Sequence, residues 1–212
     1  MTNAPHTCDH IATGLAKIGL FLRSHAWRQA ETTGLTPTQA QILVHLVRRG
    51  PARVGALASE IAVTQPTASD AIAALIRKGH VEKRPDPDDG RAALFHARAS
   101  ARRLIAEMEV WPDALLEAVD LLDPGERAAF LKGLMKMIRT LQLRGAIPVQ
   151  RMCATCEYFR PYQHTDAAAP HHCAFVDAAF GDAALRLDCN DHVEADVTGQ
   201  SETWARFNRM PA

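Results

Sequence analysis

Residues 64–91 read TQPTASDAIAALIRKGHVEKRPDPDDGR, and this stretch decides the fold. Apolar side chains recur in its first half at helical spacing: Ala68, Ile72, Leu75 and Ile76. Gly79 is a helix-stop signal. After it, a turn rich in Pro, Asp and Gly at residues 85–90 separates two short β-compatible segments. The stretch therefore predicts a helix followed by a β-hairpin that carries basic side chains.

Helical patterns extend outward on both sides of this stretch. Before it, residues 11–32 are apolar at three- and four-residue steps, a capping box at residues 36–39 opens a second helix, and residues 54–62 predict a short third one. After it, Ser100 is expected to cap a helical stretch to about residue 122, which Pro112 kinks or breaks. Residues 123–126 form another cap signal and open a helix to about residue 143.

The order of three helices and a basic hairpin is that of a winged helix-turn-helix domain. GLTPTQAQIL at residues 34–43 resembles the entry to the second helix of the MarR family. Residues 64–84 resemble that family's recognition helix and first wing strand, and PDPDDGR at residues 85–91 is similar to its wing. The resemblance covers about residues 10–144. It implies a regulator that binds double-stranded operator DNA as a homodimer, with dimerisation elements at residues 11–32 and 100–143.

Short polar side chains follow the start of the predicted recognition helix, where free backbone N–H groups and the helix dipole favour phosphate. Side chains of this size approach base edges in the major groove. An acid at Asp70 departs from many MarR sequences and repels phosphate. In the hairpin, Asp89 is expected to hold the Arg91 side chain, as the D-x-R element of the family implies. The predicted DNA-binding residues are Thr64, Gln65, Thr67, Ser69, Lys83, Arg84, Asp89 and Arg91.

Charge is unevenly distributed, although 24 basic and 24 acidic residues balance over the chain. Residues 70–103 hold eight Lys or Arg against five acids, whereas residues 153–202 hold nine acids against two Arg. The second segment is therefore a poor DNA surface. The sequence predicts a winged-helix DNA-binding and dimerisation domain at residues 1–145 and a separate, irregular metal-binding lobe at residues 146–212.

Four of the five cysteines lie in that lobe: Cys153, Cys156, Cys173 and Cys189. No apolar run is long enough to cross a bilayer, and residues 1–10 lack the pattern of a signal peptide, so a cytoplasmic location is expected. Thiols stay reduced there, and a cluster of them indicates metal binding rather than disulfides. Cys8 stands apart and is expected to be a buried, inert thiol.

Two kinds of metal centre fit the four cysteines. One close pair and two distant single cysteines resemble the spacing of high-potential iron–sulfur proteins, including the aromatic pair Tyr158-Phe159, and winged-helix sensors with a four-cysteine cubane cluster are a known type. A [4Fe–4S] cluster is therefore preferred. The alternative is Zn²⁺ held by three cysteines and a histidine such as His172 or His192.

The sequence contains no nucleophile elbow, Walker motif or H-E-x-x-H motif, so no enzyme activity is expected. The predicted function is transcriptional regulation tuned by a cluster that reports redox or iron status. Two alternatives remain open. One is a regulator with structural zinc and a small-molecule effector; the other is an electron-transfer protein on a winged-helix scaffold.

Overall fold

The computed structural model describes residues 7–108 and 111–209. The chain divides into two compact units, Met1–Leu116 and Glu117–Ala212. The sequence places its domain boundary later, after residue 145. The two divisions differ because the helix at Pro124–Leu143 shares a hydrophobic core with the cysteine lobe. The assignment of residues 1–145 to one functional domain stays a prediction.

The first unit is helical with a two-stranded wing. Its elements are α1 (Thr7–Thr33), α2 (Pro37–Arg49), α3 (Val54–Glu60), α4 (Gln65–Arg77), β1 (Val81–Asp86), β2 (Asp89–Ala97) and α5 (Ala99–Glu107). Helix α6 (Asp113–Asp120) crosses the division. The second unit contains α7 (Pro124–Leu143), β3 (Phe159–Arg160), β4 (His171–Cys173), β5 (Ala178–Phe180) and α8 (Val197–Asn208).

Local signals explain the start of two helices in the first unit, α2 and α4. The Thr36 side chain accepts the Gln39 backbone N–H and the Gln39 side chain returns to the Thr36 backbone, so the capping box of α2 is confirmed. Thr64 caps α4 by accepting the Thr67 N–H, without the reciprocal half of a capping box. The core that α2, α3, α4 and α5 share consists mainly of buried Leu and Ile side chains: Leu35, Ile42, Leu43, Leu46, Leu57, Ile72, Leu75 and Ile105.

The wing is an antiparallel hairpin whose register shifts between Pro85 and Asp86. Its turn is narrower than the sequence indicates, because Asp86 and Asp89 already pair across the strands. The predicted cap at Ser100 is wrong. Arg98 is the N-cap residue of α5, and the Ser100 hydroxyl instead donates to the Gly79 carbonyl at 2.8 Å. The expected break near Pro112 is present, since α5 and α6 are separate helices.

The second unit is more regular than expected. Its β3, β4 and β5 form a three-stranded antiparallel sheet, and Asp196 caps α8 by accepting the Gly199 N–H. Helix α7 begins at the predicted cap signal, where Asp123 and Glu126 form a capping box. The core consists of large buried side chains from α7, the loops and α8: Met135, Met152, Phe159, Leu185 and Phe207. No helix among the described residues is long and apolar enough for a membrane crossing.

Candidate functional site

The first turn of α4 exposes the polar side chains that the sequence singles out. Thr64 Oγ1 accepts the Thr67 N–H at 3.3 Å and lies 2.8 Å from Thr67 Oγ1, so these two hydroxyls fix the turn. Gln65 and Ser69 are exposed beside them. Asp70 is exposed too, so this helix also presents an acidic side chain to solvent. The turn presents short donors and acceptors to solvent, which are the kinds of group that can contact base edges.

The wing holds its turn in a different way from the D-x-R expectation. Asp89 Oδ1 accepts the backbone N–H of Arg91 at 3.1 Å, not its guanidinium. The guanidinium that approaches the wing carboxylates is that of Arg53, which donates to Asp86 at 2.6 Å and lies 3.8 Å from Asp89. Among the described residues, the exposed Arg91 guanidinium has no carboxylate partner. The structure thus corrects the pairing and leaves the Arg91 charge available.

The other basic candidates of the wing differ in how far they are neutralised. Lys83 and Arg84 are both exposed on β1. The Arg84 Nε donates to Glu82 at 2.6 Å, and Arg98 lies 3.3 Å from the same carboxylate. These two guanidinium groups, that of Arg84 foremost, lower the pKa of Glu82, so the carboxylate stays ionised and offsets part of their charge.

The four lobe cysteines, Cys153, Cys156, Cys173 and Cys189, all line one cavity of about 140 Å³. Cys153 begins a 3-10 turn at Cys153–Thr155 and Cys156 follows it, Cys173 ends β4, and Cys189 lies in the loop before α8. Aromatic and apolar side chains form most of the remaining wall: Tyr158, Phe159, Phe175, Val176 and Phe180. Cys8 is exposed on α1 in the other unit, so its expected burial is wrong, because α1 buries none of its residues in this chain.

Two groups of Arg186 reach the cysteine sulfurs. Its backbone N–H donates to Cys153 Sγ at 3.4 Å, and its guanidinium lies 3.6 Å from Cys189 Sγ. Burial raises the pKa of the Cys153 thiol to about 11. Within the described part of the chain, no three His, Cys, Asp or Glu side chains converge closely enough to hold one metal ion. The four cysteines therefore border a shared cavity and do not converge on a single metal position.

The histidines near the cysteines are engaged elsewhere. His171 is fully buried, with Nε2 2.8 Å from Asp182 Oδ1 and Nδ1 accepting the Tyr162 N–H. His172 contacts His164 and Asp177. His192 Nε2 lies 2.9 Å from the Thr155 hydroxyl. None of these described histidines lines the cysteine cavity.

Sequence reasoning missed Arg186 and the contact between the buried His171 and the half-buried Asp182. Arg186 has a weak signal in the sequence, since it is one of only two basic residues among nine acids in residues 153–202. The contact between His171 and Asp182 has no signal in the sequence, because the two residues are eleven positions apart and follow no shared periodicity.

Comparison with known protein families finds a match within the first unit. Residues 33–92 match the sequence model of the MarR family. No curated protein matches the chain significantly.

Among solved structures, the DNA complex of S. aureus MepR has a TM-score of 0.55 and 21% identity, covering 62% of this chain and 98% of its own. The transcriptional regulator BldR from Sulfolobus solfataricus has a TM-score of 0.53 and 23% identity, covering 62% and 94%. NadR in complex with 4-hydroxyphenylacetate has a TM-score of 0.52 and 20% identity, covering 65% and 96%. Residues 33–92 are therefore similar to the MarR family, and the solved structures show that the first unit shares their fold.

Proposed function

We propose that this chain is a transcriptional regulator that binds operator DNA as a homodimer and whose cysteine lobe holds an iron–sulfur cluster. The observation that carries the proposal is the combination of an exposed α4 turn and basic wing with a cavity surrounded by four thiols. S. aureus MepR, whose fold is shared, has been solved on DNA. BldR, which shares the fold, is a transcriptional regulator, and the segment that matches the MarR family lies in the same unit.

The open face of α1 supports a dimer. All residues of α1 are described, and none of the 27 is buried. Several are large and apolar and still exposed: Ile11, Ile18, Leu20, Phe21 and Trp27. A helix with so much exposed apolar surface gains free energy when a second copy covers it. A symmetric dimer then offers two α4 helices to successive major grooves.

The cavity suits a polyatomic cluster better than a single ion. Four sulfurs at the zinc–sulfur distance of ~2.3 Å lie roughly 3.8 Å apart and enclose no further atom. Here the four cysteines instead border a cavity of about 140 Å³. The histidines that a mixed zinc site needs point to other partners. Four thiolates are the donor set that [4Fe–4S] clusters use. Here the thiols stand in a largely apolar wall.

A bound cluster supplies iron- and redox-dependent bonds that order the loops carrying its ligands. These loops share one core with α7, in which Met135 packs against Met152, Phe159 and Phe207 without any exposed surface. Gln142 of α7 also contacts Met152, the neighbour of Cys153, through its Nε2. By the family resemblance, α7 belongs to the dimerisation segment. Loss of the cluster therefore changes the support of a helix that matters for the dimer.

The test is anaerobic purification followed by iron, sulfide and zinc analysis, with affinity for the chain's own promoter measured before and after cluster removal. We expect about four irons and four sulfides per chain and a changed DNA affinity once the cluster is lost. Zinc without iron would leave a regulator with a structural metal. Equal affinity for promoter and random DNA would overturn the proposal that the protein is a transcriptional regulator.

A second candidate is a regulator whose effector is a small anionic molecule. In the first unit, a cavity of about 410 Å³ is lined by Phe21, His25, Arg28, Gln29, Thr32 and residues 112–114. The buried His25 Nε2 has no hydrogen-bond partner among the described residues. NadR was solved with 4-hydroxyphenylacetate. A thermal shift with that compound, lost in Arg28→Ala, would favour this candidate over cluster control.

A further inference from the structure

Arg186 is the one basic residue among the described residues that line the cysteine cavity. It engages two of the four sulfurs by different groups, Cys153 through the backbone N–H and Cys189 through the guanidinium. The Cys153 N–H in turn donates to the Arg186 carbonyl at 3.0 Å, which fixes the two segments against each other. A side-chain substitution therefore removes the charge at Cys189 and leaves the backbone contact to Cys153 in place.

The surroundings make this charge important. Residues 153–202 contain nine acids and only two basic residues, Arg160 and Arg186. Asp191 also lines the cavity, and its carboxylate lies 3.8 Å from the Arg186 guanidinium. Reduction adds one electron, and hence one negative charge, to a cluster that four thiolates already make anionic. A cation a few ångströms from a ligand sulfur favours the reduced state, because opposite charges attract and hydrogen bonds to sulfur stabilise added charge.

We propose that Arg186 sets the reduction potential of the cluster by holding its guanidinium against Cys189. This inference rests on the proposed function, since it requires the cluster to bind. It adds a positioning residue outside the four ligands and links the sensing range of the protein to one exposed side chain. Outer groups of this kind tune metal centres without ligating them.

The test is a potentiometric titration of the anaerobic full-length protein with dithionite, followed by electron paramagnetic resonance and optical absorbance. We expect Arg186→Gln to lower the midpoint potential by about a tenfold change in the one-electron equilibrium, or ~59 mV. Arg186→Lys keeps the charge and should recover part of the shift. Arg160→Gln removes the same charge from the same lobe, but the Arg160 guanidinium contacts backbone carbonyls of Glu157 and Phe159, so its midpoint should stay near that of the wild type.

Iron content is measured on every variant, so that a changed potential is separated from lost cluster. A wild-type protein without iron would overturn both the proposed cluster and this inference. A wild type with iron whose midpoint does not move in Arg186→Gln would overturn the inference alone. An equal shift in Arg160→Gln would also overturn it, because the effect would then be general charge rather than the contact with Cys189.

Discussion

Oδ1 of Asp182 lies 2.8 Å from Nε2 of His171, a side chain with no exposed surface. The other carboxylate oxygen of Asp182 accepts from Lys132 of α7 at 2.9 Å. Burial acts to raise the pKa of Asp182, but the hydrogen bonds from His171 and Lys132 outweigh it and hold the pKa below its usual 3.8. An ionised carboxylate therefore joins α7 to β4, the strand that ends at Cys173.

The first prediction follows from this contact. Asp182→Ala should lower the free energy of unfolding by about 1–3 kcal/mol, because it leaves a buried His171 nitrogen unpaired. Chemical denaturation of the full chain measures the change. Glu202→Ala, an exposed change on α8, is the control and should stay within about 0.5 kcal/mol of the wild type. Equal stability of the two variants would show that the contact does not contribute.

The second prediction concerns the wing and pH. The Asp88 N–H and then the Arg53 guanidinium hold the pKa of Asp86 below its usual 3.8. The stability from the ionised form is fully present above pH 3.8 and is lost as the pH falls through the lower, folded pKa. Arg53→Gln should therefore raise the pKa of Asp86 and move this loss to higher pH. A carboxyl-carbon NMR titration checks it, and an unchanged Asp86 titration would contradict it.

Much of the first unit could be predicted because its helices follow from local signals. The capping box at Thr36, the cap at Thr64 and the stop at Gly79 act within a few residues. The wing pairing was harder, since the partner of Asp86 and Asp89 is Arg53, more than thirty residues earlier. No local pattern indicates such a contact.

The second unit illustrates the same limit more strongly. Its strands have only two or three residues, which is too short for an alternation to be recognised. They are held by aromatic contacts around His171, from Phe159, Tyr162, Phe180 and Phe207. These contacts join segments far apart in the chain. Sequence reasoning therefore found the four thiols through their chemistry, and missed the sheet and α8 that surround them.

The third prediction tests the wing on DNA. Arg91→Ala should weaken binding to operator and random DNA alike and reduce the salt slope by roughly 0.9, the value for one phosphate contact. The reason is the exposed guanidinium of Arg91, which lacks a carboxylate partner among the described residues. Arg84→Ala should weaken DNA binding less than Arg91→Ala does, because Glu82 already neutralises part of the Arg84 charge. Fluorescence anisotropy at several salt concentrations measures both, and an unaltered affinity for Arg91→Ala would exclude the wing from binding.

The fourth prediction tests the dimer. Replacing Leu15 and Ile18 of α1 together by Glu should give a monomer and abolish operator binding, because charge on the apolar face opposes its burial. Lys17→Glu is the control, since Lys17 is exposed on the same helix and its substitution reverses a charge, which changes the net charge as much as the double variant does, without removing an apolar side chain. Sedimentation at low micromolar concentration distinguishes the species. A double variant that remains dimeric would place the interface elsewhere.

The last prediction concerns the cysteines. Any single Ser substitution at Cys153, Cys156, Cys173 or Cys189 should lower metal content sharply, because each thiol supplies one corner of the cavity. Hydrogen exchange should speed up beyond about residue 150, since a metal centre that cross-links short loops contributes to their folding free energy.

Cys8→Ser should leave both properties unchanged, as Cys8 is exposed on α1 in the other unit. DNA binding should persist in the Ser variants, but its response to oxidant or iron depletion should vanish. If Cys173→Ser or Cys189→Ser keeps full metal occupancy, the four-cysteine assignment is wrong, and His172 or His192 must leave its present partner to become the ligand.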